Sequence, residues 1–264
     1  MKNENYKILV LDDGSTDKTA ETAKKENVLV VSHPRNFGLA ETFKSEIKEA
    51  LKLKPEIIIH LDADAQYDLK EIPLMIKEVR NGTDLVLASR FKGKIEEMPL
   101  IKKLGNKAFS KVISNIIGQK ITDAQTGFRA FNLKAAELDI RSNHTYTQEQ
   151  IIRAIKEKFS VKEIPCYFRK RIDGKSRLMK NPFDYAIKAW LNLFRVYRDY
   201  APLKFFGLIG LFFFGIGFLL GLWLMFLHFS SGIEGHIALM ILTMILIVTG
   251  LQIILFGFLA DMKK

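Results

Sequence analysis

The sequence predicts an α/β domain with a mostly parallel sheet and helices on both faces, followed by an interfacial amphipathic helix and a two-helix transmembrane hairpin. Three observations carry that expectation. Short β-branched runs ending in acidic or polar turns alternate with helical segments from Tyr6 to Phe168. An aromatic, apolar stripe with basic flanks fills 181–200, and two long apolar segments follow it. The domain boundaries read as 1–178 for the α/β part, 179–202 for the interfacial helix and 203–264 for the hairpin.

In chain order, Tyr6 to Leu11 is apolar and β-prone and ends in Asp12-Asp13-Gly14-Ser15-Thr16-Asp17. Gly14 permits a tight turn there, and Ser15 or Thr16 suits the cap of a helix running to about Lys25. Asn27–Val31 reads as a strand, Leu39–Leu53 as a helix, and Ile57 to Asp62 as a buried strand. A helix near Leu69–Arg80 and a strand over Asp84–Ala88 follow, the latter ending in Ser89-Arg90-Phe91. Met98–Gly118 is helical and rich in Lys. Thr122 to Arg129 forms a polar turn into a short strand, Thr147 to about Lys158 a helix, and Val161–Phe168 one or two strands around Pro165. Arg169–Arg177 is a basic loop centred on Asp173-Gly174.

Across Asn181–Tyr200 the residues Phe183, Ile187, Trp190, Leu191, Phe194 and Tyr197 share one side, as suits a helix lying in a membrane interface. The apolar segments Phe205–Phe229 and Ile237–Ala260 would each span about 36 Å as helices, enough to cross a hydrocarbon core of about 30 Å. The first holds 17 Leu, Ile or Phe residues and no charge, so insertion wins by several kcal/mol at roughly −0.3 to −0.6 kcal/mol per residue. The link Ser230–His236 lacks Lys and Arg and should face outside, which returns Lys263-Lys264 to the cytosol. His228, Glu234 and His236 near it read as interfacial polar residues.

The formal charge of the 264 residues is +11, yet no Lys or Arg occurs between Phe205 and Met262. The basic excess therefore belongs to the first 204 residues and the last two, as in a membrane protein with a basic cytosolic face. Nucleic acid is excluded as a partner, because no helix-turn-helix, zinc-finger or RNP-type signature is present. A single Cys166 rules out an internal disulfide and fits a reducing compartment. With no signal peptide before the first strand, the α/β domain is expected in the cytosol.

The organising stretch is Ile57-Ile58-Ile59-His60-Leu61-Asp62-Ala63-Asp64-Ala65-Gln66. Strand alternation lets Asp62 and Asp64 face the same way at the carboxyl end of a strand, where α/β sheets bind ligands. Two carboxylates there, with the Gln66 oxygen, suit Mg²⁺ or Mn²⁺ on a phosphate. The same residues also read as a solvated Asp-rich turn capping the next helix. Asp13 at the first strand end is placed to accept from a nucleotide, while Asp12 or Asp13 could equally cap the helix that follows. Arg90, past another strand end, suits a phosphate or an ordinary surface ion pair.

The motifs Asp12-Asp13-Gly14-Ser15-Thr16-Asp17, Asp62-Ala63-Asp64-Ala65-Gln66, Ser89-Arg90-Phe91, Thr126-Gly127-Phe128-Arg129 and Gly174-Lys175-Ser176-Arg177 occur in that order. Together they resemble the family 2 glycosyltransferases, and within them the dolichyl-phosphate mannose synthase-like enzymes with carboxyl-terminal membrane helices. The resemblance implies a GT-A (Rossmann-like) fold and inverting transfer of a sugar from a nucleotide-sugar, GDP-mannose or a UDP-hexose, to a polyprenyl phosphate at a membrane. It gives Asp13, with Asp12 and Asp62, to the nucleotide, and Asp62, Asp64 and Gln66 to the metal. Arg90, Arg129, Arg171, Lys175 and Arg177 would meet donor or acceptor phosphates. Lys102 and Asn106 stand where that family often has an Arg and a Ser facing the acceptor phosphate. Asp123 and Glu149 are candidate bases for a hydroxyl acceptor, or orient Arg129 or cap helices.

Members of that family usually begin with a further strand and helix, carrying Pro, an aromatic residue and Asn-Glu, that lie beside the strands ending at Asp13 and Asp62. This chain starts five residues before its Asp-Asp-Gly-Ser strand. Two further expectations therefore stand beside the first: transfer to another lipid or glycan acceptor, and a truncated non-catalytic membrane module that binds a lipid phosphate.

Overall fold

Strand β1 (Leu9–Asp12) pairs in parallel with β2 (Leu29–Ser32), with Leu9 opposite Leu29 and Asp12 opposite Ser32. The computed structural model describes residues 6–141, 146–170, 191, 193–230, 232 and 235–262. It comprises two units, Met1–Pro182 and Phe183–Lys264. Helix α1 (Thr19–Lys25) joins β1 to β2. It starts later than the expected cap: the Asp17 carboxylate accepts from Thr19 N–H at 3.0 Å, in place of Ser15 or Thr16.

Helix α2 (Leu39–Lys52) leads into a second sheet of order β3-β5-β4-β6, made of Ile57–His60, Arg129–Asn132, Leu85–Ile95 and Val161–Phe168. Here the expected mostly parallel sheet is corrected. β4 runs parallel to β6, but β5 is antiparallel to both neighbours. The reason lies in the β4–β5 connection. Helix α4 (Leu100–Ile117) carries the chain away, Gly118 closes it in the left-handed conformation (φ 71°), and the segment 118–128 brings the chain back beside Ala88 and Leu87 of β4. Arg129 therefore enters opposite Leu87 and runs backwards. No hydrogen-bonded pairing joins β1 to β3 among the described residues.

Both faces of the second sheet are covered, and β5 shows how. Ala130 faces the cluster of Met75, Val79, Val86, Phe128, Ile164 and Phe168, to which α3 (Ile72–Arg80) contributes. Phe131 faces the other way and meets Phe43 of α2 with ring centroids 6.4 Å apart, while Phe43 stacks on Tyr146 of α6 (Tyr146–Lys156) at 4.3 Å. A short helix α5 (Leu133–Ala136) follows β5, and a 3-10 turn (Leu69–Glu71) precedes α3 where one continuous helix was expected. Helix α2 serves both sheets: Ser45 meets His33 beyond β2 at 2.9 Å, and Glu46 meets His60 at the end of β3 at 2.8 Å.

β4 is longer than its sequence suggested, because Ser89 and Arg90 continue the strand as buried polar residues. β3 is shorter and stops at His60.

In the second unit, residues 193–200 are helical; most of the amphipathic stretch expected over 181–200 lies outside the described residues. Helices α7 (Pro202–Ser230) and α8 (Ile237–Met262) are long and apolar enough to cross a membrane. They pack through glycines seven residues apart on each helix: Gly210 lies against Gly250, Gly217 against Ile247 and Leu246, and Gly257 against Phe206 and Leu203. A Cβ on Gly210 would lie 2.6 Å from the Gly250 carbonyl oxygen, and one on Gly250 would lie 2.7 Å from that of Gly210. Small residues let the backbones approach this closely where lipid offers no hydrophobic drive.

Candidate active site

Beyond β3 the chain leaves the sheet at Leu61 and turns through Asp62-Ala63-Asp64-Ala65, with Ala65 in the left-handed region at φ 57°. The two carboxylates thus sit on a turn rather than on alternating strand positions. Asp64 Oδ1 accepts from Gln66 N–H at 3.2 Å, an Asx turn that fixes this loop. Burial raises the pKa of Asp62; His60 and Arg90 act against the rise and Asp64 adds to it. Asp62 and Asp64 are electrostatically coupled, so the pair concentrates negative charge at the end of β3.

Gly127 explains how the Asp62 carboxylate is housed, since a Cβ at 127 would collide with that carboxylate. Tyr67 holds the Gly127 loop: its hydroxyl accepts from Gly127 N–H at 3.1 Å and lies 3.3 Å from Thr126 Oγ1. Thr126 in turn donates to the Ala88 carbonyl of β4 at 2.7 Å. The Thr-Gly-Phe turn is therefore shaped around the acid turn.

Arg90 supplies the facing cation. It is 5% exposed, its Nε and Nη2 donate to the two oxygens of Asp123 at 2.7 and 2.8 Å, and its backbone N–H donates to the same carboxylate at 3.0 Å. Burial alone would lower the pKa of Arg90; Asp123 outweighs it and keeps the guanidinium charged. The ring of Phe168 lies under the guanidinium at 5.3 Å. With its amide oriented to satisfy its neighbours, Asn106 of α4 accepts from Arg90 Nη2 at 3.2 Å, and donates to Gln125 and to the Lys102 carbonyl. Lys102 itself is half-buried on the same helix.

Other expected site residues are positioned differently. Asp13 closes the loop before α2: Oδ1 accepts from Phe37 N–H at 2.9 Å and meets His33 Nδ1 at 2.8 Å, and Oδ2 accepts from Gly38 N–H at 2.9 Å. Burial raises its pKa, but these bonds and one from Thr42 outweigh it and hold the carboxylate below its usual range. A carboxylate offers about four lone-pair sites, so Asp13 works chiefly as an anchor at a helix N-terminus. Asp12 accepts from Ser15 N–H at 3.2 Å, within its own turn.

Arg129 is 0% exposed, and its guanidinium donates to the carbonyls of Thr126, Thr147 and Ala124 and to Gln150 Oε1 at 2.8 to 3.3 Å. Burial pushes its pKa down to about 10. It ties the Thr126 turn to α6 from beneath. Gln66 donates through its side-chain amide to the Arg169 carbonyl at 3.2 Å, and its own carbonyl accepts from Arg169 N–H at 2.7 Å. Asp123 and Glu149 are both enclosed, Asp123 by Arg90 and Glu149 by Arg153 Nε at 2.7 Å and Arg141 N–H at 3.0 Å. Arg171, Lys175 and Arg177 lie outside the described residues.

Two groups had no role in the sequence reading. Tyr67 is buried, and burial pushes its phenol up to about 12. His60 joins Glu46 to the Tyr146 hydroxyl, 3.0 Å away, directly before the acid turn. A histidine closing an otherwise β-branched run signals such a buried polar link.

The site thus gathers an acid pair, a fixed guanidinium and a glycine turn, a set able to hold a divalent cation and a diphosphate. Among the described residues no group of three or more His, Cys, Asp or Glu side chains gathers as a metal cluster. The profile of glycosyl transferase family 2 matches residues 1–138. A UDP-N-acetylglucosamine–dolichyl-phosphate N-acetylglucosaminyltransferase of Methanococcus voltae is 31% identical over 190 residues, covering 62% of this chain and 76% of that protein. A dolichol-phosphate mannosyltransferase of Pyrococcus furiosus is 32% identical over 192 residues, 69% of this chain and 53% of that protein. An uncharacterized protein of Methanocaldococcus jannaschii is 41% identical over 173 residues, 62% of this chain and 71% of its own. Among solved structures, glucosyl-3-phosphoglycerate synthase from Mycobacterium tuberculosis, in complex with Mn²⁺, UDP and glucosyl-3-phosphoglycerate, superposes with a TM-score of 0.52 at 16% identity, covering 71% of this chain and 68% of that one. That likeness shows the GT-A-like fold. The chain belongs to glycosyl transferase family 2.

Proposed function

We propose that the chain is a membrane-anchored, inverting glycosyltransferase that moves a sugar from a nucleotide-sugar to a polyprenyl phosphate. The observation that carries this reading is the acid turn Asp62–Asp64 standing in electrostatic reach of the buried, doubly held Arg90. A divalent cation fits the site: the donors are hard carboxylates, burial and the neighbouring Asp64 charge disfavour a bare Asp62 carboxylate, and the missing Cβ of Gly127 leaves Asp62 its room. Asp62 and Asp64 would hold Mg²⁺ or Mn²⁺, with Gln66 completing the turn; bound there, the ion supplies charge stabilisation for a departing nucleoside diphosphate.

The chain's own residues account for the rest. A phosphate monoester has a second pKa of about 6 and is largely dianionic at neutral pH, so it needs no strong base. What it needs is a fixed cation, and Arg90, locked by Asp123 and Asn106, is preorganised to align an anionic acceptor. Lys102 stands one turn from Asn106 on the same helix and extends the positive field. Arg129 supports the Thr126-Gly127 turn from below, without substrate contact. The apolar helices α7 and α8 would hold the enzyme in the bilayer that carries the lipid, with the α/β unit and carboxyl terminus on the cytosolic side.

The reading is supported by relatives whose names specify dolichyl-phosphate acceptors. The test is transfer of labelled sugar from GDP-mannose, UDP-glucose and UDP-N-acetylglucosamine to polyprenyl phosphate and to hydroxyl acceptors, with product mass and anomeric configuration measured. An inverted polyprenyl-phosphate sugar that requires a divalent cation and is lost in Asp64→Ala is expected. Transfer only to a hydroxyl acceptor would move the activity to another lipid or glycan, and no transfer with any donor would leave a lipid-phosphate-binding module.

A further inference from the structure

Gln252 is a polar residue on the wrong side of an apolar helix. Helix α8 turns Thr243, Gly250 and Gly257, all buried, towards α7, with Gly250 against Gly210 and Phe214 and Gly257 against Phe206. Gln252 is exposed and lies about 140–180° round the helix from all three at 3.6 residues per turn. Thr243 returns its hydroxyl to the Leu239 carbonyl of its own helix at 2.8 Å. The Gln252 amide makes no hydrogen bond among the described residues.

Depth decides what can reach that amide. At 1.5 Å per residue Gln252 lies about 14 Å along the axis from Asp261 and about 22 Å from Ile237, so in a hydrocarbon core of about 30 Å a side chain this short reaches neither headgroup layer. Acyl chains offer it no hydrogen bond, and its partner must be a polar group held at the same depth. Its neighbours on this side, Ile241, Ile245, Val248, Leu255 and Leu259, are exposed, and with Gln252 among them the spacing alternates between four and three. That is the seam of a helix pair with one polar residue in its middle, the device that fixes register and copy number. A second copy inserted the same way round is related by a two-fold axis along the membrane normal, so each seam residue meets its own equivalent at equal depth. A carboxamide carries both donor and acceptor and therefore complements itself.

We infer that two copies of the chain pair along this side of α8, the side-chain amide of Gln252 in each donating to the Gln252 Oε1 of the other. The inference goes beyond sugar transfer and rests on the reading of α7 and α8 as membrane spans. Lipid tails are as apolar as leucine, so the aliphatic seam alone has no hydrophobic drive to associate. The reciprocal amide bonds supply it and set the register, while the glycine side of α8 stays packed on α7.

The test is oxidative cross-linking of the full chain in phosphatidylcholine vesicles at low protein-to-lipid ratio, with copper phenanthroline as oxidant. Single cysteines are placed on the seam, Ile245→Cys and Leu259→Cys, and off it at matched depth, Phe258→Cys. Cys166 is buried at 2% exposure, so the unaltered chain is the blank. Disulfide-linked dimers at 245 and 259, with few at 258 or in the blank, are expected. Adding Gln252→Met, which keeps the shape and removes the amide, should lower their yield by at least about fivefold, the scale of one interhelical hydrogen bond in lipid. A more apolar helix inserts at least as well, so that loss would not reflect failed insertion. Equal yields at 258 and 259, or yields indifferent to Gln252→Met, would overturn the pairing. Monomers at all three positions would send the amide to a different membrane protein and overturn it equally. Labelling by a water-soluble maleimide separates this from the spanning reading: Ile245→Cys reacting as fast as Glu157→Cys, on exposed α/β surface, would remove the span and the pairing with it, whereas slow reaction at 245 without dimers removes the pairing alone.

Discussion

Arg90 and Asp123 lock together through two side-chain bonds of 2.7 and 2.8 Å and a third from the Arg90 backbone at 3.0 Å, with both side chains almost wholly removed from water. Removing one partner strands the other, so Asp123→Ala should destabilise the α/β unit by about 3–5 kcal/mol. Asp123→Asn, which keeps the shape and one acceptor, should lose less. Urea unfolding in detergent checks both, and wild-type stability in Asp123→Ala would contradict the pairing.

Gly127→Ala puts a methyl group onto the Asp62 carboxylate. The fold should survive, because the acid turn lies beyond β3 and can shift. Divalent-cation affinity should fall by about tenfold, some 1.4 kcal/mol, while far-ultraviolet dichroism is unchanged.

Asp62 carries a raised pKa whose first cause is burial. The folded state then holds a proton that the unfolded state has released, so without cation stability falls as pH rises from the ordinary Asp pKa through the folded one. Asp62→Asn should therefore raise the melting temperature in chelator at neutral pH and abolish the further rise that Mn²⁺ gives the wild type. Melting curves with and without Mn²⁺ decide it.

Arg129 ties the Thr126 turn to α6. Arg129→Met leaves the carbonyls of Thr126, Thr147 and Ala124 without their donor, at a cost of about 1–3 kcal/mol for each buried unsatisfied group. A large loss of stability with substrate KM unchanged in the surviving folded enzyme is expected.

The alternation of strands and helices, the positions of the acid turn and Arg90, and both apolar helices were legible because each is written in a local pattern of residues. The direction of β5 was not, because Arg129–Asn132 reads as a strand either way and only the return path of 118–128 sets its sense. Ser89 and Arg90 looked like a strand end because they are polar. Their partners, Thr122 and Asp123, are distant in sequence and let β4 run on to Ile95. The bonds that Asp13 accepts were not legible, since they come from backbone N–H groups of Phe37 and Gly38 that no side-chain motif advertises. The partners of Arg129 were illegible for the same reason: three of its four acceptors are backbone carbonyls.

The most direct measurement is calorimetric titration of the full chain with Mn²⁺ and nucleoside diphosphate, compared with the Asp62→Asn/Asp64→Asn variant. Binding that requires metal and nucleotide together, and weakens by at least about tenfold in the variant, some 1.4 kcal/mol, is the predicted result. Equal affinity in the two proteins would contradict a cation held by this acid turn.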